Sequence, residues 1–431
     1  MRANKTPPHP GASGVHDDDM MGDDMEDTFD DDDLIEIHDD DENEGTDLGD
    51  FADDEEDDMD GEGLGMEGFT GQKPDYILTS HQESAVFCCS FDGTGNRLIS
   101  GGEDDVANIW DNSSIKSQSP ICVCRGHKDS VVSASFSWDS TFCCTADLSG
   151  IVKVWKVANN ELLHTFETGE LSWSFWHFGS NVLFAGCDDG SIYMWKINTG
   201  DCKIYSGSSA KCEHAALLPD GKRLLAGYAC GTLKLFDLKS GETLFNFTKG
   251  LPNPSPILCV AAHSSKNLVA AGSADGTVKL FNSQNGKLLQ TVSCTPVASE
   301  PNTSSVQGED ETVESIVFSP SETGLDYVAC GTVTGHVVVW DVATLTERFR
   351  IQQDSGLTKV LWDPRLSVMY TAGLDGVVRA IDVRSGSVDR LLGRHRTEIL
   401  DICITKDGSK LASASEDGSV FIYNLLQAPS T

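Results

Sequence analysis

His81, Ser100 and Asp104 are the residue types of a hydrolytic triad, and the set recurs: His395, Ser413 and Asp417 come late in the chain, with His127 and Thr145 between them. A working triad needs its nucleophile, base and orienting acid to converge on one cleft. A set that reappears several times along one chain marks a structural repeat instead. No glycine-rich phosphate loop lies between a strand and a helix, and no nucleophile elbow occurs. The fourteen cysteines offer metal or disulfide chemistry, yet none forms a C-x-x-C pair or a Cys/His cluster with zinc-finger spacing. Cys88 and Cys89 are adjacent in a strand-like run and point to opposite faces, so both cannot face one metal. The cysteines read as small buried hydrophobes in a reducing compartment. The expectation is a chain that is not an enzyme and carries no metal or cofactor.

The elements that position these residues follow from a period. After Lys73 the sequence becomes short β-branched and aromatic runs separated by Gly, Asp, Asn and Ser. Eight segments share one shape, a turn followed by an alternating strand. Their final anchors are Trp110, Trp155, Trp195, Phe236, Phe281, Trp340, Ile381 and Tyr423. All steps but one lie between 40 and 45 residues, the period of four-stranded propeller blades. The exception, 59 residues from Phe281 to Trp340, holds an inserted loop at about 296–310, rich in Ser, Pro, Thr and Glu. The fold class predicted is all-β, an eight-bladed propeller over residues 74–431. The last blade stops at its third strand, whereas Tyr76-Ile77-Leu78-Thr79 has no blade of its own. Residues 76–79 are therefore predicted to complete the eighth blade and close the ring.

Charge divides the chain differently. Residues 1–72 hold 28 acidic groups against Arg2 and Lys5, which is −26 of the formal −37. Residues 1–73 are expected to be a disordered acidic arm, because self-repulsion and scarce apolar surface leave nothing to offset ordering entropy. Leu34-Ile35-Glu36-Ile37 interrupts it, and reads either as a short docking motif or as a chance run of aliphatics. Such a chain repels nucleic acid and anionic membrane and attracts basic protein segments. There is no apolar leader and no stretch long enough for a membrane span. A cytoplasmic monomer, also present in the nucleus, is expected.

From Tyr76 onward the residues resemble the WD-repeat family. That family joins a His, a Ser or Thr, a turn Asp and a Trp in a buried network, and His81, Ser100, Asp104 and Trp110 match it at all four places. His127, Thr145 and Trp155 match in the second blade, where Ser149 stands in for the turn Asp. His395, Ser413 and Asp417 match in the eighth, with Tyr423 in the Trp position. The resemblance implies structural, not catalytic, His–Asp pairs. Stretches such as Gly101-Gly102-Glu103-Asp104-Asp105 and Leu218-Pro219-Asp220-Gly221-Lys222-Arg223 resemble one branch of the family, linked by name to cell migration and angiogenesis. They also imply kinship to a fungal chaperone that holds a newly made, basic large-subunit ribosomal protein.

On the narrow face of such a wheel the repeat places Glu83, Glu103, Asp105, Asp129, Glu170, Trp173, Asp188, Glu213, Tyr228, Glu314, Asp354, Glu398 and Glu416. The expectation is that these carboxylates bind a Lys/Arg-rich partner such as a ribosomal protein, with Trp173 stacking on guanidinium. A competing role is the substrate receptor of a cullin ubiquitin ligase. Its Trp-Asp-x-Arg box is matched here only by Ile381-Asp382-Val383-Arg384. A signalling scaffold in cell migration is a third.

Overall fold

The computed structural model describes residues 69–81, 83–113, 119–251, 254–295 and 311–426. The predicted arm up to residue 68, its Leu34–Ile37 motif and the inserted loop at 296–310 lie outside the described residues. Alternation of apolar and polar positions over six-residue runs yields 32 strands among the described residues, arranged as eight four-stranded antiparallel sheets. Each sheet is a blade, numbered here by its innermost strand. These strands are Val86–Phe91, Val131–Phe136, Leu171–Trp176, Cys212–Leu217, Ile257–Ala262, Val313–Phe318, Leu357–Trp362 and Ile399–Ile404.

Blade 8 is composite. Its outer strand is Tyr76–Leu78, paired antiparallel with Val420–Asn424 in the register Tyr76–Ile422, Ile77–Phe421 and Leu78–Val420. The closing strand thus lies where the sequence places it, stopping one residue short of Thr79. A second clasp was not foreseen. Gln72 bridges Leu392 in the outer strand of blade 7, its N–H donating to Leu391 O at 2.9 Å while Gly393 N–H donates to Gln72 O at 2.8 Å. The chain before blade 1 therefore ties blade 7 as well as blade 8.

Burial is layered between blades rather than gathered in one centre. Ile99, Ala107 and Ile109 of blade 1 pack with Val131, Phe136 and Trp155 of blade 2. Blade 2 in turn packs Val152 and Val154 against Leu183 and Trp195 of blade 3. Adjacent cysteines divide between these layers: Cys143 faces blade 1 and Cys144 faces blade 3, so each is a small apolar filler. Burial pushes the thiol of Cys144 up.

All eight inner strands carry a bulge, the pairing with the second strand skipping the residue between positions one and three. A bulge bends its strand and re-aims a side chain. Here it turns the third residue of each inner strand toward the next blade. Cys88 Sγ lies 3.8 Å from Val131 O, Ser133 Oγ is 2.7 Å from Ser174 Oγ, and Trp173 Nε1 donates to Cys212 O at 2.9 Å. His214 Nδ1 accepts from Val260 N–H at 3.3 Å, Cys259 Sγ approaches Val313 O at 3.2 Å, and Ser315 Oγ accepts from Val360 N–H at 3.1 Å. Lys359 Nζ donates to Asp401 Oδ1 at 2.5 Å, and Asp401 Oδ2 accepts from Cys89 N–H at 2.9 Å. The eight contacts form an unbroken ring.

The candidate partner-binding face

The triad-like residues come first, since their geometry decides what they do. In blade 1, His81 Nδ1 is 2.9 Å from Asp104 Oδ1 and Nε2 is 2.8 Å from Ser100 Oγ, which also accepts from Trp110 Nε1 at 3.0 Å. His81 is 1% exposed and Ser100 fully buried, so no substrate reaches them. Blade 2 repeats the chain through His127, Thr145 and Trp155, but its acid is Asp147, 2.9 Å from His127 Nδ1. This corrects the reading of Ser149 as the replacement. Asp147 ends the second strand, and Ser149 donates its hydroxyl to Asp147 Oδ1 at 2.7 Å. In blade 8, His395 bonds Ser413 Oγ at 2.7 Å and Ser419 Oγ at 3.0 Å, with Asp417 Oδ2 at 3.4 Å. Burial outweighs Asp147 and Asp417 and holds His127 and His395 below the ordinary histidine value. Burial opposes ionisation of the two carboxyls as well, yet Ser149, Ile151 N–H and His127 hold Asp147 down, and His395 and Ser419 hold Asp417 down. In blades 2 and 8 the pairs are neutral imidazole against carboxylate, and in all three blades the bonds are a bracing arrangement that satisfies groups too costly to bury alone.

These networks fix one face of the wheel. On it, the turn after the second strand of each blade is tied to the loop that leads into that blade. Eight N–H···O bonds of 2.9–3.1 Å do this: Glu103 to Ala85, Leu148 to Ser130, Asp188 to Glu170, Ala229 to Lys211, Ala274 to Pro256, Val333 to Thr312, Leu374 to Gly356 and Glu416 to Glu398. The face is therefore a rigid platform, and its chemistry is set by what occupies these repeated places.

Of the thirteen residues expected there, Glu83, Glu103, Glu170, Asp188, Asp354 and Glu416 are exposed, and Asp105, Asp129, Glu213, Glu314 and Glu398 are half-buried on the same side. Trp173 and Tyr228 do not belong to it. The bulge of blade 3 turns Trp173 inward, 9% exposed and stacked on Phe175 with centroids 5.2 Å apart, so it cannot stack on a partner. Tyr228 is fully buried beside Gly207, where a Cβ would sit 2.1 Å from the phenol oxygen.

The carboxylates are unevenly distributed. Lys211 lies 3.9 Å from Asp188 and 3.5 Å from Glu213, neutralising part of blades 3 and 4. Blades 8 and 1 carry the dense cluster. The carboxyl groups of Glu398 and Glu416 stand against each other; that neighbour first, then burial and Glu103, pushes Glu416 up, while Glu398 is held down. Glu83 (φ 65°) and Asp105 (φ 60°) stand beside them in the left-handed region, unusual for residues with a Cβ. On either side of it, the same repeated place presents Leu374 and Val333 on blades 7 and 6 and Leu148 on blade 2, all more than a third exposed. Reading the residue that follows each second strand in register would have found them.

The model for the "WD domain, G-beta repeat" family matches residues 72–111, 118–156 and 386–424, the three stretches whose blades hold the His–Asp pairs braced by a buried Ser or Thr. The model described as "Outer membrane protein assembly factor BamB" matches residues 150–390, which include the blades without such pairs. The chain is 37% identical to the human angio-associated migratory cell protein over 360 residues, 83% of this chain and 81% of that one. This chain belongs to the WD-repeat family of the angio-associated migratory cell proteins. Another WD-repeat relative, the ribosome assembly protein SQT1 of Saccharomyces cerevisiae, is 25% identical over 366 residues, covering 76% of this chain and 81% of the relative. Its crystal structure superposes with a TM-score of 0.72 at 21% identity, covering 83% and 100% of the two chains. Sqt1 of Chaetomium thermophilum, solved bound to the N-terminus of the ribosomal protein L10, gives 0.70 at 20% identity over 81% and 99%. These structures share the fold. As a WD-repeat protein the chain is a scaffold of a generally non-catalytic family.

Proposed function

We propose that this WD-repeat protein is a chaperone-like binder of a basic segment of a newly made large-subunit ribosomal protein. The observation that carries this is the carboxylate cluster of Glu83, Glu103, Asp105, Glu398 and Glu416 on one rigid face, gathered where blades 8 and 1 meet, with Arg396 beside it. Guanidinium groups fit paired carboxylates bidentately, and the surplus charge of the chain speeds capture of a cationic partner. The Sqt1 relative bound to a ribosomal-protein N-terminus supports the reading. We propose a cytoplasmic place of work, with the nucleus as a second one, and a monomer as the acting form.

The test is fluorescence anisotropy with a labelled peptide of the N-terminus of L10, alongside a labelled Arg-rich peptide of the same length. Glu103→Lys, Asp105→Lys and Glu416→Lys together should abolish binding while leaving the folded wheel intact by circular dichroism. Unchanged affinity would sink the proposal.

A further inference from the structure

Two pairs of thiols from different blades touch among the described residues. Cys294 Sγ lies 3.1 Å from Cys330 Sγ, joining blades 5 and 6, and both residues are fully buried. Cys89 and Cys403 make the second pair, at 3.5 Å. This pair sits where the ring closes. Cys89 is in the inner strand Val86–Phe91 of blade 1, and Cys403 is in the inner strand Ile399–Ile404 of blade 8. The two residues are 314 apart in sequence, and their strands belong to different sheets. Asp401 holds these strands together through the N–H of Cys89.

Access separates this pair from the other. Cys403 is half-buried, and Cys89 lines a cavity of about 440 Å³ along the inner strands of blades 1, 2, 3, 7 and 8, with Lys359 and Asp401 on its wall. A molecule as small as hydrogen peroxide fits there. The hydrogen bond assigns the roles: Cys89 S–H donates to Cys403 Sγ. Contact with Cys403, then burial, pushes the Cys89 thiol well up. Cys403 therefore offers the open sulfur lone pair, and Cys89 keeps its proton beside it. A disulfide requires the sulfurs to approach by roughly 1.5 Å more.

We infer that Cys89 and Cys403 are an oxidation site, a dithiol that hydrogen peroxide converts to a disulfide across the closure of the wheel. Cys403, as thiolate, attacks one peroxide oxygen and the O–O bond breaks. The departing hydroxide takes up the proton released by Cys403, leaving a sulfenic acid and one water. Cys89 sulfur then attacks the sulfenic sulfur, the S–O bond breaks, and the hydroxyl leaves with the Cys89 proton as a second water. Two thiols lose two electrons and one peroxide is reduced. The product ties the first blade to the last by a covalent bond, where the strand Tyr76–Leu78 does so by hydrogen bonds alone. The site is separate from the acidic face and does not depend on its occupant.

The experiment uses the full chain, reduced and then freed of reductant, with hydrogen peroxide as the probe. A non-reducing digest read by mass spectrometry should give a linked peptide pair holding Cys89 and Cys403, formed roughly tenfold faster than any link of Cys294 to Cys330. The melting temperature should rise by roughly 5 °C and return on addition of dithiothreitol. Cys403→Ser should abolish the link and leave Cys89 a thiol. Cys89→Ser should leave a sulfenic acid at Cys403 that dimedone traps. Cys89 and Cys403 remaining thiols while the exposed Cys202 and Cys230 oxidise would overturn the inference. So would a Cys294–Cys330 link that forms first.

Discussion

Asp401 in the inner strand of blade 8 accepts the main-chain N–H of Cys89 in blade 1 at 2.9 Å, with its other oxygen on Lys359 of blade 7. One carboxylate thus holds three consecutive blades at the place where the ring closes. Replacing it with Ala strands a peptide N–H and a half-buried ammonium. Asp401→Ala should lower stability by about 2 kcal/mol, read as a shift in the urea midpoint. Asp401→Asn, which keeps one acceptor, should lose less.

Trp173 offers a sharp contrast between packing and recognition. Its indole fills the layer between blades 3 and 4 and bonds Cys212 O. Trp173→Ala should cost about 3–5 kcal/mol of stability while the folded fraction binds the basic peptide with unchanged affinity. A large affinity loss with intact stability would falsify the inward placement.

Gly393 sits at φ 57°, where an added Cβ would meet Tyr423 Oη at 2.0 Å. It is also the residue whose N–H grips Gln72 O. Gly393→Ala combines backbone strain with overpacking and should destabilise by about 2–4 kcal/mol. Thermal melts of Gly393→Ala against Gly324→Ala, whose Cβ would meet nothing, separate the clash from the loss of a left-handed glycine alone.

Acid should loosen the wheel in two stages. His127 and His395 are held below 6.5 in the folded chain, so the unfolded chain binds their protons more readily. Their contribution is complete above 6.5 and is lost as pH falls below it. Asp147 and Asp417 are held below 3.8; their contribution is present above 3.8 and disappears as pH falls through their folded values. Urea midpoints should be level near neutrality, decline below 6.5 and decline again below 3.8. A midpoint that rises on acidification between these values would contradict the bracing role.

Much of this was legible in the chain. The anchor residues fixed blade number because each ends a third strand that must bury its aromatic or aliphatic end between neighbours. Tyr76–Leu78 could be assigned to blade 8 because an unpaired strand and an incomplete blade complete each other. Trp173 was misplaced because simple alternation cannot register a bulge, which shifts facing without altering composition. Tyr228 is buried for a similar reason, its room being made by the missing side chain of Gly207, just past the strand Asp201–Ser206. In blade 2 the place of the turn Asp holds Ser149, whereas the acid that meets His127 stands two residues earlier, at the strand end. The Gln72 clasp left no pattern to read, since its bonds are all main-chain or amide.

The carboxylates of Glu103 belong to the first blade and those of Glu398 and Glu416 to the last, and Gly418 lies so near Glu83 that a Cβ there would fall 2.8 Å from its Cα. A cationic guest gripping both sides therefore acts as a rivet across the junction of the chain's beginning and end. Occupancy and integrity of the circle become one equilibrium, so a loaded wheel should resist opening by the free energy of its cargo.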